Sequence, residues 1–175
     1  MSENLMKLVE EFRFLEKKKR YRKGALPPKE AKRLRHLKVY LSKKLKLNGV
    51  NEASERREEL RVPVSSLRVK YRSGKTFVRN YIHNLSPGGV FISTPNPLPL
   101  DTRVKLHIVL EEKGVEVEVE GKVVWENTEE GKRKDITRAG MGIKFTRLDD
   151  EAKEIIDNLI HGKLKDHARK EDKES

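Results

Sequence analysis

The sequence predicts an α+β protein, in which a basic helical hairpin precedes a small antiparallel β-barrel closed by a final helix. Three observations carry this expectation. Apolar residues recur at helical spacing as far as Leu45, the period switches to two from Leu67, and helical spacing returns after Asp149. About six antiparallel strands leave no exposed edges when they close into a barrel.

The first helix carries Leu5, Leu8, Val9, Phe12 and Leu15 on one stripe and ends in Lys17-Lys18-Lys19-Arg20-Tyr21-Arg22-Lys23-Gly24. Cations in a last turn followed by glycine suit the helix dipole and a C-cap. Pro27-Pro28 makes the connection, and proline can open the second helix, whose stripe is Ala31, Leu34, Leu37, Leu41 and Leu45. Two amphipathic helices on a short loop form an antiparallel hairpin over residues 1–47. Each other, the barrel or a second copy of the chain can cover the two stripes.

Residues 48–54 read as a linker. From Leu67, the side chains Leu67, Val69 and Tyr71 alternate with Arg68, Lys70 and Arg72, and Ser73-Gly74-Lys75 turns the chain into a second strand from Thr76 to Asn84. A short strand covers Val90 to Ser93, and Pro95-Asn96-Pro97-Leu98-Pro99 must be a loop. Thr102, Val104, Leu106, Ile108 and Leu110 form one inward face; Val115, Val117, Val119, Val123 and Trp125 form the next. Such alternation marks antiparallel strands with one wet face. Trp125 is expected in the core by its phase rather than on a ligand. Asn127 to Arg138 is a polar loop, and Met141, Ile143 and Phe145 line the last strand. Asp149 or Asp150 caps a helix carrying Ala152, Ile155, Ile156 and Leu159, Gly162 stops it, and 163–175 is a polar tail.

Length and composition narrow the classes. The 175 residues suit one domain plus an appendage. Without cysteine there is neither a disulfide nor a thiolate metal site. No apolar run approaches the ~20 residues of a membrane span, and the first residues lack the apolar core of a signal peptide, so a cytoplasmic protein is expected. Residues 1–50 hold 16 Lys plus Arg against 5 Glu, 16 − 5 = +11, and the remainder 24 against 23, so almost all of the +12 belongs to the hairpin. That cluster reads as a solvated outer face, or as a contact for an anionic partner.

Catalytic chemistry finds little support. His36, His83, His107, His161 and His167 show no metal-ligand spacing, and Glu116, Glu118 and Glu120 read as solvated strand residues. There is no phosphate-binding loop of the nucleotidase type, and Ser86 has no local nucleophile signature. No enzyme, metal or cofactor is expected.

The informative residues are Arg57 and Arg61, four apart after the linker, and Asn84, Ser86 and Gly89 around a tight turn. Guanidinium forks pair with phosphate and stack on bases. An amide and a hydroxyl can read a base edge, and glycine admits close backbone approach. Arg57-x-x-x-Arg61 and Asn84-x-Ser86-x-x-Gly89, with Gly121-Lys122-Val123-Val124-Trp125 and Gly140-Met141-Gly142-Ile143-Lys144-Phe145, resemble the PilZ domain, a bacterial receptor module for cyclic di-GMP. The resemblance spans residues 55–162 and implies a six-stranded PilZ-type β-barrel. It implies that Arg57 and Arg61 meet phosphates and guanine, that Asn84 accepts from a guanine, and that Ser86 adds a hydroxyl contact. Gly89 would permit the turn, and Arg56 matches an extra arginine that often precedes the motif. The function expected is a cyclic di-GMP receptor or adaptor, in which binding moves the hairpin and a protein partner or a second copy responds. A ligand-blind adaptor acting through protein contacts is the main alternative. Nucleic-acid binding by the hairpin is the other, and nucleic acid is not the expected partner, because the hairpin shows no clear recognition-helix pattern and few exposed aromatics.

Overall fold

The computed structural model describes residues 4–22, 24–47, 59–64, 67–73, 76–110, 114–128 and 139–174. The chain divides into two units, Met1–Val62 with Leu159–Ser175, and Pro63–Asn158.

In the first unit, α1 runs Leu5–Tyr21 and α2 runs Pro28–Lys44. The Asn4 side chain accepts from the Met6 N–H at 2.9 Å and so satisfies one of the donors a helix start leaves open. Gly24, at φ +90°, donates its N–H to the Lys19 carbonyl at 2.8 Å and closes the other end. The α1 stripe is buried as the spacing requires, together with Leu34, Leu37, Leu41, Leu45 and Leu47. Arg33 grips Glu11 with two bonds of 2.7 Å, and Lys18 meets Glu30 at 2.6 Å, fixing the register of the hairpin.

A third helix, α3, runs Asp150–Glu174, with its N-terminal part in the second unit and the rest in the first. Asp149 caps it by accepting the Ala152 N–H at 2.7 Å. The expected stop at Gly162 and the polar tail after it are overturned. Ala152, Ile156, Ile160, Leu164 and Ala168 are all buried, four residues apart on one face. A side chain at Gly162 would meet nothing within 4 Å, so this glycine costs helix propensity, about 1 kcal/mol, and no packing. Within the first unit Lys165 binds Glu10 at 2.5 Å and Lys46 binds Glu171 at 2.9 Å.

The second unit follows the two-residue strand β1 (Val62–Pro63). It holds β2 (Leu67–Ser73), β3 (Thr76–Ser86), β4 (Gly89–Ser93), β5 (Arg103–Leu110), β6 (Val115–Asn127) and β7 (Gly140–Arg147). Antiparallel pairings run β3-β2-β5-β6-β7-β4, and β4 returns to β3, which closes a six-stranded barrel. Period-two alternation decides the inside: Val69, Tyr71, Ile82, Leu85, Ile92, Leu106, Ile108, Val123 and Ile143 fill it. Carboxylates of β6 meet basic side chains of β2 and β5: Glu116 with Lys70 and His107, Glu118 with Lys105.

Candidate ligand-binding site

The chain turns from β3 to β4 through Pro87-Gly88, with Ser86 opposite Gly89. Proline pre-sets the first turn dihedral. The Gly88 carbonyl accepts the Phe145 N–H at 2.8 Å, which fastens the turn to β7. Ser86 is buried, and its hydroxyl donates to the Gly89 carbonyl at 3.4 Å. A Cβ on Gly89 would stand 2.3 Å from the Ile143 carbonyl oxygen, so strand spacing admits only glycine there. The reason is crowding, since Gly89 is not among the positive-φ residues.

Asn84 is half-buried on β3, opposite Phe91 of β4. Phe91 lies opposite Gly142 of β7, and Gly142 opposite Trp125 of β6. These four positions form one row across the outer wall, since Ile143 and Met141 on either side of Gly142 point into the core. Among the described residues, none takes up the side-chain amide of Asn84. The neighbouring row holds Ser86, Gly89, Lys144 and Lys122; Lys144 is exposed, and Lys122 reaches Asp101 at 2.6 Å.

Trp125 does not sit in the core, where its phase along the sequence would put it. The β6–β7 register shifts between Val123 and Trp125, a bulge that sets two residues against one partner. Val123 stays inside while Val124 is exposed and Trp125, half-buried, turns to the outer row. Its ring centroid lies 5.5 Å from that of Phe91, and His83 meets Phe91 edge-on at 6.0 Å. Two glycines of β7 make room for this wall. A Cβ on Gly140 would fall 2.6 Å from Cζ of Phe91, and one on Gly142 3.4 Å from Cβ of Trp125.

The structure thus brings Asn84, Ser86 and Gly89 together on one stretch of wall. Arg61 is exposed, and it precedes β1 in the first unit. Arg56 and Arg57 lie outside the described residues. Val64 donates its N–H to the His83 carbonyl at 3.1 Å, so the chain enters the barrel unit beside Asn84. Sequence reasoning missed Phe91, Trp125 and Lys144 as neighbours of the motif. The glycines at 140 and 142 were the available signal, because alternate glycines on a strand clear one face for large rings.

The PilZ domain model matches residues 55–162. The chain belongs to the PilZ domain family. Among solved structures, this PilZ chain is similar to the PilZ domain of YcgR from Escherichia coli with c-di-GMP, at 16% identity over 67% of this chain and 98% of that one, TM-score 0.53. YcgR from Escherichia coli in complex with c-di-GMP gives 15% identity, 69% and 51% coverage, and TM-score 0.56. The K. pneumonia MrkH-c-di-GMP complex gives 18% identity, 66% and 54% coverage, and TM-score 0.55. These similarities support the barrel fold. The chain spans about half the length of the Bacillus subtilis inhibitor of motility MotI, another similar solved structure, and of YcgR and MrkH, at 49%, 51% and 54%. No curated protein sequence matches it. Among the described residues no helix is long and apolar enough to cross a membrane.

Proposed function

We propose that this PilZ chain is a receptor for cyclic di-GMP, bound on the outer barrel wall at the β3–β4 turn. The observation that carries the reading is the Asn84 amide, unclaimed by any described residue and set in a row with Phe91 and Trp125. A guanine offers amino and imino donors for its side-chain oxygen and a π face for the aromatic wall. The Ser86 hydroxyl and the crowding at Gly89 shape the corner, and Lys144 adds a cation for a phosphate. Arg61 stands three residues before Val64, within ~10 Å of backbone reach of the His83 anchor. Arg57 and Arg56, further upstream, join it as phosphate and guanine donors.

Binding would then bias the segment carrying these arginines, and with it the helical hairpin and whatever protein or second copy the hairpin contacts. A ligand shifts such an equilibrium only through contacts made in one state, and the arginines can supply them. Titration calorimetry with cyclic di-GMP tests the receptor reading. Saturable binding that Asn84→Ala weakens supports it; heats no greater than dilution would leave a ligand-blind adaptor. Unchanged small-angle scattering at saturating ligand would remove the coupling while sparing the binding.

A further inference from the structure

The wall formed by β2 and β3 carries a second set of groups that the cyclic di-GMP reading does not use. No Asp or Glu occurs between Glu59 and Asp101. The outward positions of the paired strands set Arg68 against Tyr81, Lys70 against Arg79 and Arg72 against Phe77. Phe77 is 66% exposed and Tyr81 61%, two rings four residues apart on the same face of β3, so that they form one aromatic patch rather than scattered exposed side chains. Val69 and Tyr71 of β2 and Ile82 of β3 point the other way, into the core, which fixes this face outward. Of Glu116, Glu118 and Glu120 on β6, it is Glu116 that meets a cation of this face, Lys70, at 3.2 Å.

We propose that this β2–β3 face binds single-stranded nucleic acid, its bases stacked on Phe77 and Tyr81 and its phosphates lying along Arg68, Arg72 and Arg79. Rings four residues apart on a strand are separated by ~13 Å, at about 3.3 Å per residue. That spacing suits two bases with one nucleotide between them, passing over Arg79. Cations interleaved with aromatics on an open sheet are what sequence-tolerant single-strand binding needs, because every base has a π face and every link a charge. Duplex fits poorly, since its bases are already stacked and hidden from flat side chains. An acidic protein would use the cations and leave two exposed rings without a role. The face is distinct from the basic hairpin of residues 1–47, and it stands whether or not cyclic di-GMP binds.

The test is fluorescence anisotropy with a fluorescein-labelled twelve-nucleotide single strand, as RNA and as DNA, and the matching duplex, using the full chain. The expected result is tighter binding of single strands than of duplex, with Phe77→Ala and Tyr81→Ala each weakening single-strand affinity by about 5- to 100-fold. Phe77→Tyr and Tyr81→Phe should restore it, and Arg79→Gln should flatten the logarithmic salt slope by about 0.7. Equal affinity of the Phe77→Ala, Tyr81→Ala double variant and the parent would overturn the proposal, assigning any binding to the charge of the hairpin. So would a preference for duplex. Loss of binding to phosphatidylglycerol vesicles or to polyglutamate in the double variant, with single-strand affinity intact, would overturn it in favour of a membrane or an acidic protein.

Discussion

The ring of Trp125 stands 5.5 Å from the ring of Phe91 on the outer side of the barrel, in the same cross-strand row as Asn84. Trp125 is the sole tryptophan of the chain, so its fluorescence reports on this wall alone. Cyclic di-GMP should change that emission saturably. Trp125→Leu should weaken binding by roughly 2- to 10-fold, in line with the ~0.5–1.5 kcal/mol of an aromatic contact, with the unfolding midpoint little altered. An emission spectrum indifferent to saturating ligand would place the guanine elsewhere.

Arg61 is exposed, so its removal leaves no hole in a core. If its guanidinium pairs with a phosphate, Arg61→Ala costs ~2–5 kcal/mol, or about 30- to several thousand-fold in affinity. Calorimetry checks the loss, and thermal unfolding of the same sample checks that the fold survives. Parent-like affinity would strike Arg61 from the site.

Gly89 and Gly140 leave no room for a methyl group, since a Cβ at either would stand 2.3 Å from a backbone oxygen, the carbonyls of Ile143 and Ile92 respectively. Backbone yields less easily than a flexible side chain. Gly89→Ala and Gly140→Ala should each destabilise the barrel by ~1–3 kcal/mol, read as a fall in the denaturant midpoint at unchanged slope. Gly162→Ala serves as the opposite control, since nothing lies within 4 Å and the helix gains about 1 kcal/mol of propensity.

The barrel was legible because β5 alternates throughout and β6 does so from Val115 to Val123, and inward Val104, Leu106 and Ile108 match inward Val117 and Val119. Trp125 was not, because a bulge of one residue reverses the face of everything beyond it, and no side chain announces the bulge. The far end of α3 is hidden for a different reason. A glycine reads as a stop, yet it weighs less than a four-residue apolar spacing running unbroken from Ala152 to Ala168. The Asn84, Ser86 and Gly89 corner follows from local sequence, and the aromatic row beside it depends on pairings between strands distant in the chain.

His161, 5% exposed, is buried where α3 joins the hairpin unit, and no hydrogen bond reaches either ring nitrogen among the described residues. Burial holds its pKa below the ordinary 6.5; Arg13 and Lys17 on α1 and Lys165 on α3 push the same way, and Glu10 on α1, 3.3 Å away, opposes them. The unfolded chain therefore binds the proton more readily. The stability this histidine contributes is present above its unfolded pKa of about 6.5 and is lost as pH falls below that value. His167, also lowered by burial, acts in the same sense. Denaturant unfolding between pH 5 and 8 should show the decline, and His161→Leu should flatten part of it.

Leu164 lies two residues beyond Gly162, is 1% exposed, and belongs to the hairpin unit. Leu164→Ala should cost ~2–5 kcal/mol, a core deletion rather than a change in a frayed end. Loss of ellipticity at lower denaturant than the parent is the readout. No change would return residues 163–175 to a passive tail.

The ring of strands closes through two pairings that join remote parts of the chain, β2 with β5 and β4 with β7. Hairpins such as β2–β3 and β5–β6 can assemble early, since their partners are neighbours in sequence. The row from Gly89 to Lys144 cannot, because it exists only after β4 has found β7. A nascent or partly unfolded molecule can therefore own most of its strands and still lack the corner proposed to bind cyclic di-GMP, so on that proposal only chains that have finished folding would take up the ligand.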